Sequence, residues 1–275
     1  MLGRSADGRP SPLFKIERNS KIESGDPSVN PPAPAANARI IVALDFPASA
    51  PALKLAGRLG NLVQWFKVGL ELYLSAGNEI VHALKSQGHS VFLDLKLHDI
   101  PNTVAGAIRS VASTGADMLT LHAAGGQAML AAAAEAAAQL SSPPKLLAVS
   151  VLTSMDAKQL QAIGVGVSPA DQVLRLAGLA SQAGIPGLVA SPEEVAAVRA
   201  RFPELTLVIP GIRPSGSAVG DQKRVATPAA AVAAGANYLV IGRPITQASD
   251  PAAATQAILD EIASVEVPIG QPLSR

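Results

Sequence analysis

The chain has 275 residues, a net charge of +1, and 48% hydrophobic but only 3% aromatic residues, so it can build a large core of aliphatic side chains. So small a charge gives no basic field for nucleic acid or an anionic membrane, and the absence of cysteine excludes disulfides, thiolate zinc sites and thiol nucleophiles. No stretch approaches the roughly 18 uncharged apolar residues of a membrane span, which leaves small-ligand chemistry as the expectation.

Residues 1–37 carry five basic and four acidic side chains, several Pro and Ser, and no apolar block of the kind a secretory signal needs. They predict a disordered extension ahead of a soluble, cytoplasmic domain over 38–275. From Arg39 onward, short β-branched runs alternate with Ala- and Leu-rich helical stretches. Strands are predicted at 40–44, 65–68, 91–95, 118–121, 146–151, 187–189, 206–209 and 238–241. Helices are predicted at 49–59, 71–87, 102–114, 126–140, 169–183, 192–201, 228–234 and 251–264. Ser191, Thr227 and Asp250 each precede a Pro and predict helix N-caps; Gly88, Gly115, Gly184 and Gly235 fall where a left-handed residue ends a helix.

Eight strand-then-helix units predict an α/β protein with one closed (β/α)8 barrel of the TIM type, in preference to an open doubly wound sheet. Ligand sites of such barrels lie at the C-terminal ends of the strands. Polar residues gather there: Asp45 after the first strand, Lys67 in the second, Asp94 and Lys96 in the third, His122 after the fourth, Thr153 and Ser154 after the fifth, and Gly242 and Arg243 after the eighth. The opposite ends show no comparable set.

The densest chemistry is VFLDLKLHDIPNTV, residues 91–104. Asp94 and Lys96 are two apart, so in a strand they share a face. Isolated charges in an apolar interior are strongly destabilised, and mutual pairing at a strand end open to a ligand is the usual compensation. An ion pair at the rim of the sheet with a purely structural role is the alternative. Asp99 lies just past the strand, where the backbone can carry it back to the same mouth or into a neighbouring subunit. Acid, base and acid in alternation hold Lys96 as a cation able to donate a proton.

Pro210-Gly211-Ile212-Arg213-Pro214 and Gly242-Arg243-Pro244 follow the seventh and eighth strands, where barrels bind phosphate with backbone amides and a cation. Tight turns with solvated arginines are the competing interpretation. The long Gly- and Ser-rich loop from Gly211 to Arg224 carries Gln222 and is a candidate lid. His122 fits a hydrogen-bonded rim histidine better than a base, His98 a turn residue, and Lys85, Lys145 and Lys158 ordinary solvated charges.

These residues carry a resemblance. From about Arg39 to the C-terminus the chain resembles the orotidine 5'-phosphate decarboxylase family, most specifically in Asp94-x-Lys96-x-x-Asp99-Ile100-Pro101-x-Thr103. Supporting blocks are Ala43-Leu44-Asp45, Phe66-Lys67-Val68-Gly69, Val151-Leu152-Thr153-Ser154-Met155, the Pro210 block with Gly220-Asp221-Gln222, and Ile241-Gly242-Arg243-Pro244. The N-terminal extension is the departure from the compact form of the family. The resemblance implies a homodimer without metal or organic cofactor, acting on orotidine 5'-monophosphate, with no nucleic-acid or membrane partner. Lys96 is then the proton donor to C6, Asp94 lies beside the scissile carboxylate, and Asp99 enters the partner's site. Lys67 and Asp45 hold the ribose hydroxyls and orient the charged row, Lys67 counting with Lys96, Asp94 and Asp99 as catalytic; Thr103 contributes across the interface, and Thr153 or Ser154 meets the pyrimidine edge. Arg243, Gly242 and Gln222 bind phosphate, and Arg213 supports the closing loop. Two rivals stand beside this: a Mg-dependent enzyme resembling 3-keto-L-gulonate 6-phosphate decarboxylase or hexulose-phosphate synthase, opposed by a lysine at position 67 where those enzymes place a metal-binding glutamate, and a non-catalytic phosphate-ligand binding protein.

Overall fold

The computed structural model of the chain describes residues 34–214 and 224–265. Among them, eight parallel strands close into a barrel: β1 (Ile40–Ala43), β2 (Trp65–Gly69), β3 (Ser90–Leu97), β4 (Met118–His122), β5 (Lys145–Val149), β6 (Gly187–Val189), β7 (Thr206–Ile209) and β8 (Tyr238–Ile241). Each strand pairs with the next, and β8 returns to β1. The expected (β/α)8 barrel is therefore the fold.

Strand alternation explains its two cores. In β1, Ile40 and Val42 pack outward under the helices, while Ile41 and Ala43 point into the barrel. The interior is filled by Ile41, Ala43, Phe92, Met118, Leu147, Val208 and Val240, so the barrel is a packed core with no pore. Towards the C-terminal ends of β2, β3 and β4 that apolar filling gives way to Lys67, Asp94 and Thr120, all buried. Among the described residues no helix is long and apolar enough to cross a membrane.

Several expectations shift. The helix expected over 71–87 is two, Leu70–Ala76 and Asn78–Ser86, because Gly77 takes φ +60° and breaks the ladder. β3 runs on to Leu97, and β5 ends at Val149, two residues before its expected end, so Thr153 and Ser154 sit well into a loop. A helix not foreseen, Ala157–Ala162, follows that loop, started by a capping box in which Asp156 and Gln159 satisfy each other's backbone N–H. Thr227 and Asp250 cap as expected, accepting from Ala230 N at 3.2 Å and from Ala252 N at 3.0 Å. Ser191 does not; its hydroxyl donates to the buried carboxylate of Glu194 instead. A short helix, Ala36–Arg39, crosses the expected start of the domain.

Nor is the N-terminal floor of the barrel free of charge. Lys85, expected to be solvated, holds both carboxylate oxygens of Asp117 at 2.8 Å. Lys145, expected likewise, begins β5 half-buried, with Thr206 Oγ1 at 3.4 Å, and burial lowers its pKa.

Candidate active site

The site grows from an irregularity in β3. Its register against β4 runs Phe92 to Met118 and Leu93 to Leu119, then resumes at Leu97 to Leu121. Asp94, Leu95 and Lys96 thus stand opposite the single residue Thr120, and Lys96 takes φ 51°, a left-handed conformation unusual outside glycine. The freed Lys96 N–H donates to Thr120 Oγ1 at 2.9 Å. The same hydroxyl donates to Asp94 Oδ1, also at 2.9 Å.

Around Asp94 the charges form a row. Lys96 Nζ lies 2.8 Å from Asp94 Oδ2, Lys67 Nζ is 3.7 Å from the same oxygen, and Lys67 also donates to Asp45 Oδ1 at 2.8 Å. Burial pushes the Asp94 carboxyl upward, but the two lysines, with hydrogen bonds from Lys96 and Thr120, outweigh it and hold the group below the usual carboxylate range. Asp94 is therefore an anion at neutral pH. Gly69 makes room for the row: a Cβ there would lie 2.8 Å from Lys67 Nζ and 3.2 Å from Asp45 Oδ1.

The row faces a cavity of about 250 Å³ at the mouth of the barrel. Asp45, Lys67, Asp94 and Lys96 line one side; Gly211, Arg213, Gly242 and Arg243 line another. Thr153 completes the polar lining, and Val149, Leu152, Val189 and Pro210 supply apolar wall. Of the residues expected at the site, Asp99, Thr103 and Ser154 do not line the cavity and are exposed. Asp99 Oδ1 accepts from the N–H of Ile100 at 2.6 Å. Gln222, with Gly220 and Asp221, lies outside the described residues. His122 and His98 approach with ring centroids 5.4 Å apart but do not line the cavity. Burial first, then His98 and Lys96, lower the His122 pKa against an upward pull from Asp94, so this ring is neutral.

Three features escaped the sequence reading. Thr120 is one; a lone hydroxyl in MLTLH, in phase with inward Met118, was its signal. Gly69 is the second. The third is a buried ion pair between Arg224 and Glu194, in which Arg224 Nη2 also donates to Leu152 O at 3.0 Å. It fastens the far end of the loop after β7 to the segment that carries Thr153. Its near end is tied by Arg213 N, which donates to Ala226 O at 2.9 Å.

The chain matches the sequence profile of the Orotidine 5'-phosphate decarboxylase / HUMPS family over residues 38–258. It belongs to that family. It is 56% identical to orotidine 5'-phosphate decarboxylase of Halorhodospira halophila over 227 residues, 82% of this chain and 96% of that protein. With the enzyme of the same name from Moorella thermoacetica it shares 53% over 235 residues, 83% of this chain and 93% of the other. Among solved structures, orotidine 5'-phosphate decarboxylase of Lactobacillus acidophilus superposes with a TM-score of 0.71 at 38% identity, covering 82% of this chain and 99% of that one. Membership of the family agrees with the resemblance carried by the Asp94 to Thr103 motif.

Proposed function

We propose that Lys67, Asp94 and Lys96, with Asp99 supplied by a partner subunit, are the catalytic machinery of an orotidine 5'-phosphate decarboxylase, and that Asp45 beside them binds substrate. The activity, conversion of orotidine 5'-monophosphate to UMP and CO2 in pyrimidine biosynthesis, goes with the family and with relatives 51–56% identical. The observation that carries the assignment of residues is the pairing of Lys96 with Asp94 at 2.8 Å on a wall of the mouth cavity.

In this reaction the bond from C6 to the carboxylate breaks, CO2 leaves, and the electron pair stays on C6 in the ring plane, where no π-system delocalises it. The Lys96 ammonium stabilises that pair, then gives it a proton, forming the C6–H bond of UMP and leaving a neutral amine that regains its proton from solvent. A cation already fixed in place needs no reorganisation as charge develops, which makes it an effective form of catalysis. Asp94, held ionised, repels the substrate carboxylate and is relieved as CO2 departs. Lys67 and Asp45 take the ribose hydroxyls, and Thr153, which lines the cavity, or Ser154 takes the pyrimidine edge. Arg243, Gly242 and Gln222 take the phosphate, with Arg213 supporting the loop beside them. No metal or organic cofactor enters this scheme.

The working unit in this reading is a cytoplasmic homodimer of the barrel domain, 38–275, with 1–37 an extension. Leu70, Leu74 and Ile100 are exposed apolar side chains that a second copy would cover, and Asp99 and Thr103, outside their own cavity, would serve that of the partner. Loss of orotidine 5'-monophosphate absorbance, unaffected by EDTA and abolished in Lys96→Ala, is expected. No turnover of orotidine 5'-monophosphate by folded wild-type protein, with Mg-dependent turnover of a keto-sugar phosphate, would favour the sugar-phosphate chemistry instead. Mixing Lys96→Ala with Asp99→Ala tests the shared site: random exchange gives about a quarter of wild-type activity, from the one intact site of each mixed dimer. No recovery excludes sharing.

A further inference from the structure

We propose that Thr120 is a positioning residue of this reaction: its buried hydroxyl fixes the Lys96 backbone and the Asp94 carboxylate in one arrangement, and so sets where the Lys96 ammonium points. The inference rests on the assignment of Lys96 as proton donor. It is argued from the bulge. Where three residues of β3 face one of β4, the ladder has no partner for the Lys96 N–H. An amide buried without a partner is costly, and left-handed backbone at a non-glycine residue adds strain that its surroundings must compensate. Thr120, fully buried, supplies the missing acceptor at 2.9 Å.

The chemistry of the three groups fixes the direction of every proton. A backbone N–H only donates and an ionised carboxylate only accepts, so the hydroxyl accepts from Lys96 and donates to Asp94 Oδ1. That leaves Asp94 Oδ2 to Lys96 Nζ at 2.8 Å. One side chain therefore ties the main chain of the proton donor to the carboxylate that orients its ammonium. If Thr120 lets go, Lys96 can relax to an ordinary strand conformation, and its stem leaves the bulge in another direction. The phosphate residues line another side of the cavity, and Lys67 keeps its own hydrogen bond to Asp45 at 2.8 Å, so ligand affinity should survive while the chemical step fails.

The test compares Thr120→Val, close in shape but without the hydroxyl, and Thr120→Ser, which retains it, by kcat for orotidine 5'-monophosphate and by inhibition with UMP. The expected result is a kcat about 100-fold lower in Thr120→Val with UMP affinity little changed, and a rate near wild type in Thr120→Ser. Wild-type kcat in Thr120→Val overturns the inference and leaves the assigned activity standing. Equal losses of kcat and UMP affinity in both variants also overturn it, since that is the mark of a packing role. No turnover by folded wild-type enzyme removes the assigned activity and this inference together. Should Thr120→Val fail to fold, Thr120→Cys, with a weakly hydrogen-bonding thiol, replaces it: a reduced kcat at unchanged UMP affinity supports the inference, and an undiminished kcat overturns it.

Discussion

The floor and the mouth of this barrel use charge in different ways. At the floor, ionic side chains attend to the backbone where strands begin. Arg199 donates to the carbonyls of Pro203, Leu205 and Gly235, Arg39 to that of Ala236 at 3.1 Å, and Asp117, clamped by Lys85, accepts from Val91 N at 2.7 Å. At the mouth, Asp45, Lys67, Asp94 and Lys96 attend chiefly to one another, on the wall of an open cavity. The same residue types serve the chain at one end and are available to a ligand at the other. Substitutions at the mouth should therefore cost rate with little stability, and substitutions at the floor the reverse.

The largest effect tests the far side of the mouth. Arg243→Ala is expected to lower kcat/KM by a factor worth roughly 2 to 5 kcal/mol, the range for removing one partner of a charge pair that the bound phosphate would bury. A loss below tenfold would count against Arg243 as the phosphate cation. Turnover should fall as well as affinity, because energy gained at the phosphate can hold the distant row in its working geometry. A smaller loss, about tenfold in kcat/KM with Tm hardly moved, is expected for Gly69→Ala. Its new methyl meets Lys67 Nζ and Asp45 Oδ1, so the end of the lysine must shift from its place in the pair while the packing around it stays. Unchanged kinetics would mean that the Lys67 to Asp45 contact can be dispensed with.

That Gly69 matters for this reason could not be read from FKVG, whereas the barrel and most of its row could. Strand alternation, the Pro and Gly at helix boundaries and the order of the eight units are local, and they placed β6, β7 and β8 at their observed bounds. Asp94 and Lys96 were picked out by their two-residue spacing in a strand, and they do pair, but through the bulge and the left-handed Lys96 backbone and not through regular alternation. What the sequence hid depends on register between strands. The bulge that opposes Asp94 through Lys96 to Thr120 exists only once β3 and β4 are paired, and only then does a threonine in MLTLH gain a carboxylate and an amide as partners. Arg224 with Glu194 is hidden in the same way, 30 residues apart and joined by the closure of the loops. Lys85 was misjudged as solvated because Asp117, its partner, lies 32 residues on.

At the floor, Asp117→Asn is expected to destabilise the fold by about 1 kcal/mol, since the pair it breaks is partly exposed, and to leave kcat unchanged. Urea titration and steady-state kinetics on the same sample check both halves. A loss of kcat without a loss of stability would erase the distinction between the two ends.

The smallest effect, Lys145→Met, probes whether every floor charge serves the chain. Lys145 differs from its neighbours there, having the Thr206 hydroxyl at 3.4 Å and no carboxylate within ion-pair distance among the described residues. Methionine keeps the length and apolar stem of the side chain while removing the charge that burial disfavours. The sign follows from the lowered pKa: below it the folded state bears a charge it holds less readily than the unfolded chain does. That penalty is fully present at neutral pH and is relieved as pH rises from the folded pKa to the unfolded one. Lys145→Met should therefore be slightly more stable than wild type near pH 7, with the difference narrowing on the alkaline side as the wild-type amine loses its proton. Tm measured against pH for the two proteins checks this. A variant less stable at pH 7 would mean that the Lys145 charge has a favourable role at the floor after all, and would bring it back among the side chains that secure the strand starts.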